Sequence, residues 1–197
     1  MLRDLYFYPL AALAISLIIG LALSFGNYDR PSDAELLREG YTMEGEDLTK
    51  LTTGTGTHSE FIAAVGDTPA FARLWSDIAR DNIPPYAGVF APLNSDMERA
   101  FAGRRLRMTV TARQSRNDPL TEFDMAYFTA GPGDSGWQRR QLTSDWAEYS
   151  FEFTPPLPTA EPDIDYFGIW PGDTAEPLSM DVAKMRIEVL DNSTDGQ

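Results

Sequence analysis

Apolar and polar residues alternate along much of the second half of the chain. Leu106, Met108, Val110 and Ala112 interleave with Arg107, Thr109, Thr111 and Arg113, the two-residue repeat of a half-buried strand. Phe123, Met125 and Tyr127 repeat it, as do Ala147, Tyr149, Phe151 and Phe153 up to Pro155-Pro156. Tyr166 to Trp170, closed by Pro171-Gly172, and the set Met185, Ile187 and Val189 add two more. A wider spacing predicts two short helices. In the first, Thr68-Pro69 supplies a cap and a first-turn proline, and Phe71, Trp75, Ile78 and Ala79 share one face before Asp81-Asn82. In the second, Ser95-Asp96-Met97-Glu98 fits a capping box ahead of Ala100 and Phe101, with Gly103 as the stop. Pro31 with Ser32-Asp33 offers a further helix start, and the Thr/Gly run at 52–57 reads as loop or edge strand. Strands separated by Pro, Gly and Asp turns, with few helices, predict a mainly β protein, an antiparallel β-sandwich.

The N-terminus breaks this pattern. Leu5 to Tyr28 is 24 residues without a charge, and at about 1.5 Å per helical residue it spans a hydrocarbon core of roughly 30 Å. A secretory signal peptide is the rival reading, and Ala22-Leu23-Ser24 resembles a cleavage site. Signal peptides, however, carry an apolar region of about 7–15 residues behind a basic start. Here the run is longer and Arg3 is opposed by Asp4. Aromatic residues at both ends (Tyr6, Phe7 and Tyr8; Phe25 and Tyr28) suit the two interfaces of a bilayer. The expectation is a transmembrane anchor over 1–28, a polar tether over 29–43, a sandwich domain over 44–191 and a disordered tail over 192–197. A short N-terminal tail before one span places the domain outside the cytoplasm, in the periplasm or at the cell surface.

Composition narrows the function. The chain has 197 residues; about 170 beyond the anchor suffice for one domain with a core. No cysteine is present, which excludes disulfides, thiolate metal sites and a cysteine nucleophile. A net charge of −14 argues against nucleic-acid binding, which requires a basic excess. The single histidine, His58, stands next to Ser59, but sequence adjacency does not make a nucleophile–base pair. It reads as an exposed loop residue. No Gly-x-Ser-x-Gly elbow, His-Glu-x-x-His or phosphate-binding glycine loop occurs, and nothing singles out a carboxylate pair among thirty acids. The chain is therefore expected not to be an enzyme.

The order of these signals resembles a known group. A short helix runs into Gly103, an arginine-rich strand RRLRMTVTAR follows, then SDWAEYSFEFTPP with Trp146, Tyr149, Phe151 and Phe153, and finally a closing strand opening at Asp181-Val182. This resembles the jelly-roll carbohydrate-binding modules and the wider galactose-binding-like superfamily, over roughly Glu44 to Leu190. The resemblance implies a jelly-roll sandwich and a non-catalytic binding role. It also implies a structural Ca²⁺ near the first and last strands, held by Asp181 and an early glutamate, Glu44 or Glu46. Oxygen-only ligation suits that ion.

Sugar recognition uses aromatic faces and planar polar side chains. Trp137, in the loop GPGDSGW, and Trp170, at a strand end, are the candidate stacking residues, with packing at the sandwich ends as the alternative for both. Eight arginines lie between Arg99 and Arg140 against Asp118, Glu122, Asp124 and Asp134. Arg113, Arg139 and Arg140 (with Arg107) offer planar forks to a uronate, a phosphate or a partner carboxylate. The same alternation also sets Arg107 and Arg113 on the solvent face, where acids of neighbouring strands pair with them. Two readings of function follow: a membrane-anchored sandwich binding polysaccharide in the cell envelope, or the same sandwich as an assembly module that binds an envelope protein beside a membrane complex.

Overall fold

The computed structural model describes residues 31–79, 87–129, 131, 133–159, 163–172 and 178–190, together with Ile15, Ser16 and Ile18. The expected span Leu5–Tyr28 lies, apart from those three residues, outside the described residues, as does the tail 192–197. Among the described residues no helix is long and apolar enough to cross a membrane. The chain divides into two units, Met1–Ser32 and Asp33–Gln197. The second unit carries every strand among the described residues.

In chain order the elements are α1 (Asp33–Glu39), β1 (Tyr41–Glu44), a 3-10 turn (Gly45–Lys50), β2 (Thr52–Thr53), β3 (Thr57–Ile62), β4 (Phe71–Ser76) and β5 (Val89–Leu93). There follow α2 (Ser95–Phe101), β6 (Leu106–Gln114), β7 (Glu122–Phe128), β8 (Gln138–Gln141), β9 (Ala147–Phe153), β10 (Asp165–Trp170) and β11 (Ser179–Val189). A six-stranded sheet runs β3-β4-β11-β6-β9, with β1 also paired to β11; a five-stranded sheet runs β2-β5-β10-β7-β8. All strand pairings within the two sheets are antiparallel. The antiparallel β-sandwich expected from the alternation is the observed architecture.

The interior is built by that alternation. Leu106, Met108, Val110 and Ala112 of β6 face Phe123, Met125 and Tyr127 of β7 and Phe167 and Ile169 of β10 in one buried apolar cluster. Each large apolar side chain buried this way contributes about 1.5–3 kcal/mol. β11 serves the same interior with a change of phase. Met180 and Val182 point inward, and so do Met185 and Ile187, which the two-residue repeat alone forbids. A bulge between Val182 and Lys184 restores the inward set. Ahead of the bulge β11 pairs with β4, and beyond it with β1, so two strands meet on its length besides β6.

Several expectations change in the structure. The helix expected from Thr68 onward is strand β4. Thr68 closes the β3–β4 hairpin by exchanging backbone hydrogen bonds with Val65 (3.0 and 3.1 Å). β4 lies between β3 and β11 with Ala72 and Leu74 in the core, so Phe71 and Trp75 sit on its outer face two strand repeats apart. A spacing of four satisfies both periods. The tether is helix α1. Leu36 is 1% exposed in the main core, and the helix ends at Gly40, whose φ of 73° favours glycine and where a Cβ would meet the Ile187 carbonyl. The folded unit thus begins at Asp33, not Glu44. In α2 the cap is Asn94 rather than Ser95: its side chain accepts from the amides of Asp96 (3.1 Å) and Met97 (3.0 Å). His58 is in β3, half-buried, stacked on Trp75 at 5.0 Å with its Nε2 2.6 Å from Asp77 Oδ2.

Three neighbouring strands are clasped by one carboxylate. Asp181 of β11 is fully buried and registers with Arg73 of β4 on one side and Arg113 of β6 on the other. Arg73 Nε donates to its Oδ1 (3.0 Å); Arg113 Nε and Nη2 donate to its Oδ2 (3.2 and 3.1 Å). Trp146 lies 4.4 Å from the Arg113 guanidinium, and Phe71 lies 5.6 Å from both guanidiniums. Removing the carboxylate leaves a buried guanidinium uncompensated. Asp181→Asn should therefore cost about 3 kcal/mol or more in urea unfolding; a change below about 1 kcal/mol would show that the clasp contributes little.

A second buried acid lies at the α2 end. Glu98 is buried and accepts the amide of Asp163. Burial pushes its carboxyl above the usual glutamate range against the opposing effect of that amide, and Asp165 and Asp163 push the same way as burial. A raised folded-state value means that the folded protein holds its proton longer than the unfolded chain. Stability from this group is complete below the ordinary glutamate range and is lost as pH rises through the folded value. Glu98→Gln should flatten that decline and raise the thermal midpoint at neutral pH, as read by melting curves across pH. A midpoint unchanged or lowered at every pH would refute this.

Candidate functional site

The outer face of the five-stranded sheet holds a cleft of about 480 Å³, within the size range of ligand sites. Its floor is made of Phe90 from β5, Phe128 from β7 and Tyr166 from β10. These positions alternate with Val89, Tyr127 and Phe167, which face the core, so the two-residue repeat dictates that the rings point outward. Phe90 packs edge-on against Phe128 (6.0 Å, 76°) and Tyr166 (5.6 Å, 66°), and Trp137 packs edge-on against Phe128 (5.1 Å, 70°).

A glycine makes this packing possible. Gly168 registers with Phe90 on one side and Ala126 on the other, directly beneath the rings. A Cβ there would lie 3.0 Å from both Phe90 Cε1 and Phe128 Cε2. A glycine inside a strand marks a close approach of this kind.

One wall is Thr52, Thr53 and Gly54. Thr57 is buried and donates to the carbonyls of Gly54 (3.0 Å) and Gly88 (2.8 Å), and the Gly54 amide donates to Gly88 (2.7 Å), fixing the wall to the sheet. Thr129 and Asp134 form the other wall. The loop carrying them is tied to β7 by Ser135, whose Oγ accepts from the Tyr127 amide (2.8 Å) and whose own amide donates to Tyr127 (3.0 Å). Asp134 Oδ1 accepts from the Thr129 amide (3.1 Å). Beneath the floor, Tyr127 Oη donates to buried Asp165 (2.6 Å); burial first, then Asp165, drives the phenol far above its usual range and keeps it a donor.

The sequence-derived residues fall into separate places. Trp137 is half-buried beside the cleft, against Phe128 and within 3.3 Å of a Cβ built at Gly88. Trp170 is 0% exposed and offers no face to a ligand; its Nε1 has no hydrogen-bond partner among the described residues. It is a packing residue, as the alternative reading had it. Arg139 is bound to Asp124 through two hydrogen bonds of 3.2 Å and to Glu122 at 3.0 Å. Arg140 donates to the carbonyls of Arg139 (2.7 Å) and of Ser150 in β9 (2.8 Å), bridging the edges of the two sheets. Arg113 belongs to the Asp181 clasp on the opposite sheet. These arginines are not gathered into one ligand site.

The calcium pair does not fit an ion. Asp181 has both oxygens occupied by guanidinium groups, and Glu44 pairs with Lys184 Nζ at 2.7 Å. Arginine repels the cation that the carboxylate would attract. Glu46 lies in the 3-10 turn. Among the described residues no group of three or more His, Asp or Glu side chains is arranged to hold a metal.

The residues that build the cleft, Phe90, Phe128, Tyr166, Thr52, Thr53 and Asp134, were not among those candidates. Tyr166-Phe167-Gly168-Ile169-Trp170 carried a signal, since its outward set includes a glycine beside an aromatic residue. Gly168→Ala should force Phe90, the less buried of the two rings, to swing aside. The expected result is a changed near-UV circular dichroism spectrum and a loss of about 1–3 kcal/mol; an unaltered spectrum and midpoint would show that the floor yields freely.

No protein-family model matches the sequence, and no curated protein matches it. Solved structures do. The CBM22-1 xylan-binding domain of Paenibacillus barcinonensis Xyn10C superposes with a TM-score of 0.53 at 8% identity, over 78% of this chain and 95% of that one. The C-terminal family 22 carbohydrate-binding module of Clostridium thermocellum Xyn10B gives 0.51 at 14% identity, over 76% and 91%. The N-terminal CBM22-1–GH10 modules of xylanase 10B from Clostridium thermocellum, complexed with xylohexaose, give 0.51 at 10% identity, over 77% of this chain and 29% of that longer one. At these identities the likeness is one of architecture. The chain has the jelly-roll β-sandwich fold of carbohydrate-binding modules.

Proposed function

We propose that this chain is a non-catalytic module that binds a glycan chain in the cleft of the five-stranded sheet. The observation that carries the reading is the floor of Phe90, Phe128 and Tyr166 between walls of threonine and aspartate. Pyranose rings present C–H faces that pack on aromatic surfaces, while hydroxyls are donors and acceptors for Thr52, Thr53, Thr129 and Asp134. The fold supports it, since structures that share it include a xylan-binding domain and modules complexed with xylohexaose. Leu5–Tyr28 would anchor the module to a membrane as a single span, with the sandwich on the outer side, facing envelope polysaccharide.

The test is affinity electrophoresis and calorimetry on the detergent-solubilised full chain, against a panel of soluble polysaccharides and their oligosaccharides. Tyr166→Ala and Phe90→Ala should each weaken binding about tenfold, the equivalent of about 1.4 kcal/mol of lost ring contact, while the protein stays folded. Retention of affinity in both variants would move the site elsewhere. Absence of binding to every glycan tried would favour the assembly-module reading.

A further inference from the structure

We infer that the cleft selects uncharged glycan chains over chains that carry carboxylate or sulfate groups, and that Asp134 sets this preference. The inference rests on the reading of the cleft as a glycan site and concerns which glycans enter it.

Among the described residues lining the cleft, Asp134 is the one that carries a charge. Its orientation is fixed. Oδ1 accepts from the Thr129 amide at 3.1 Å, and the Thr129 hydroxyl is in turn occupied by the Gly131 carbonyl at 2.7 Å. Oδ2 accepts no hydrogen bond from the described residues. A carboxylate held this way is acceptor-only, which suits sugar hydroxyls and opposes an approaching anion. The remaining wall residues, Thr52, Thr53, Gly54 and Thr129, are uncharged.

The arginines that the sequence offered for an anion are committed elsewhere. Arg139 gives its guanidinium to Asp124 and Glu122. Arg140 gives its own to two backbone carbonyls, and Arg113 lies on the other sheet against Asp181. The protein as a whole carries −14, so the long-range field has the same sign as the local one. A uronate placed several ångströms from Asp134 would meet repulsion of about 1 kcal/mol or more, a fold-change of about five or greater at low ionic strength.

The experiment titrates the full chain with matched probes: xylohexaose and cellohexaose as neutral chains, and a glucuronate-substituted xylo-oligosaccharide and oligogalacturonate as acidic ones. The neutral chains should bind at least about fivefold more tightly at low salt, and the gap should narrow as salt is raised, because screening shortens the reach of the field. Asp134→Asn keeps the acceptor oxygen and removes the charge, so it should bring the acidic-to-neutral affinity ratio towards one. Acidic chains that bind as tightly as neutral ones at low salt, or a ratio unmoved by Asp134→Asn, would overturn the inference while leaving the glycan site standing. If no probe of either kind binds, the glycan reading itself fails and this one with it. The salt dependence is read on the unaltered protein, so the outcome does not hang on the variant folding.

Discussion

One strand serves two surfaces, and the rest of the molecule is arranged around that double duty. β10 lies in the middle of its sheet, between β5 and β7. Phe167 and Ile169 enter the interior between the sheets, while Tyr166, Gly168 and Trp170 point away from it. The inward set holds the sandwich together through burial. The outward set changes in size along the strand: a ring that lines the cleft, a glycine that leaves room for two neighbouring rings, and a tryptophan that is sealed. A side chain larger than hydrogen at the middle position would set the cleft floor against the sheet that carries it. β10 therefore contributes to the fold and to the cleft from opposite phases of one repeat.

How much of this could be read from sequence depended on whether a strand has one wet face. β6 and β9 do on their polar sides, and their alternation is plain. β4 does not: it is flanked by two strands and carries Phe71 and Trp75 on either side of Arg73 on the face turned away from the core, so the polar half of its repeat is mostly aromatic. By alternation β11 was legible after its bulge, where Met185, Ile187 and Val189 keep one phase; the residues before it keep the other. α1 was read as a tether because a single buried residue, Leu36, attaches a polar helix to the core. The Asp181-Val182 signal marked the closing strand correctly and its chemistry incorrectly, since the partners of Asp181 are set by lateral register with Arg73 and Arg113, which no local pattern reveals.

The site was harder to read for a related reason. Tryptophan drew attention because it is large, yet its size is also why it is usually buried, and Trp170 follows that rule. Trp137 supports the cleft from beside it, whereas the floor is made by two phenylalanines and a tyrosine from three different strands, residues 90, 128 and 166. Only the strand order brings them together. The arginine-rich middle of the chain suggested an anion site, but thirty acids against sixteen bases leave few guanidiniums without a carboxylate. The pairing reading held for Arg107 and Arg113, although Arg113 is buried rather than on the solvent face, and Arg139 is paired as well.

The contrast between the two outer faces explains why the cleft lies where it does. The six-stranded sheet presents ion pairs along its outer surface: Arg107 with Glu152, Lys184 with Glu44, Arg186 with Glu188, and the buried clasp at Asp181. Arg107 and Arg105 hold the Glu152 carboxyl below its usual range, so that pair persists to lower pH than a free glutamate would. Exposed pairs of this kind contribute little to stability, but they stay hydrated, and a ligand lying across them would have to replace those hydrogen bonds. The five-stranded sheet presents rings at its centre, with its own Arg139 pairs displaced to the β7–β8 edge. Water over aromatic carbon is held more weakly than water over charge, so covering the rings gains free energy that covering the ion pairs does not. The ion pairs of the six-stranded sheet and the Arg139 pairs at the β7–β8 edge thus leave the rings of Phe90, Phe128 and Tyr166 in an apolar trough at the centre of the five-stranded sheet.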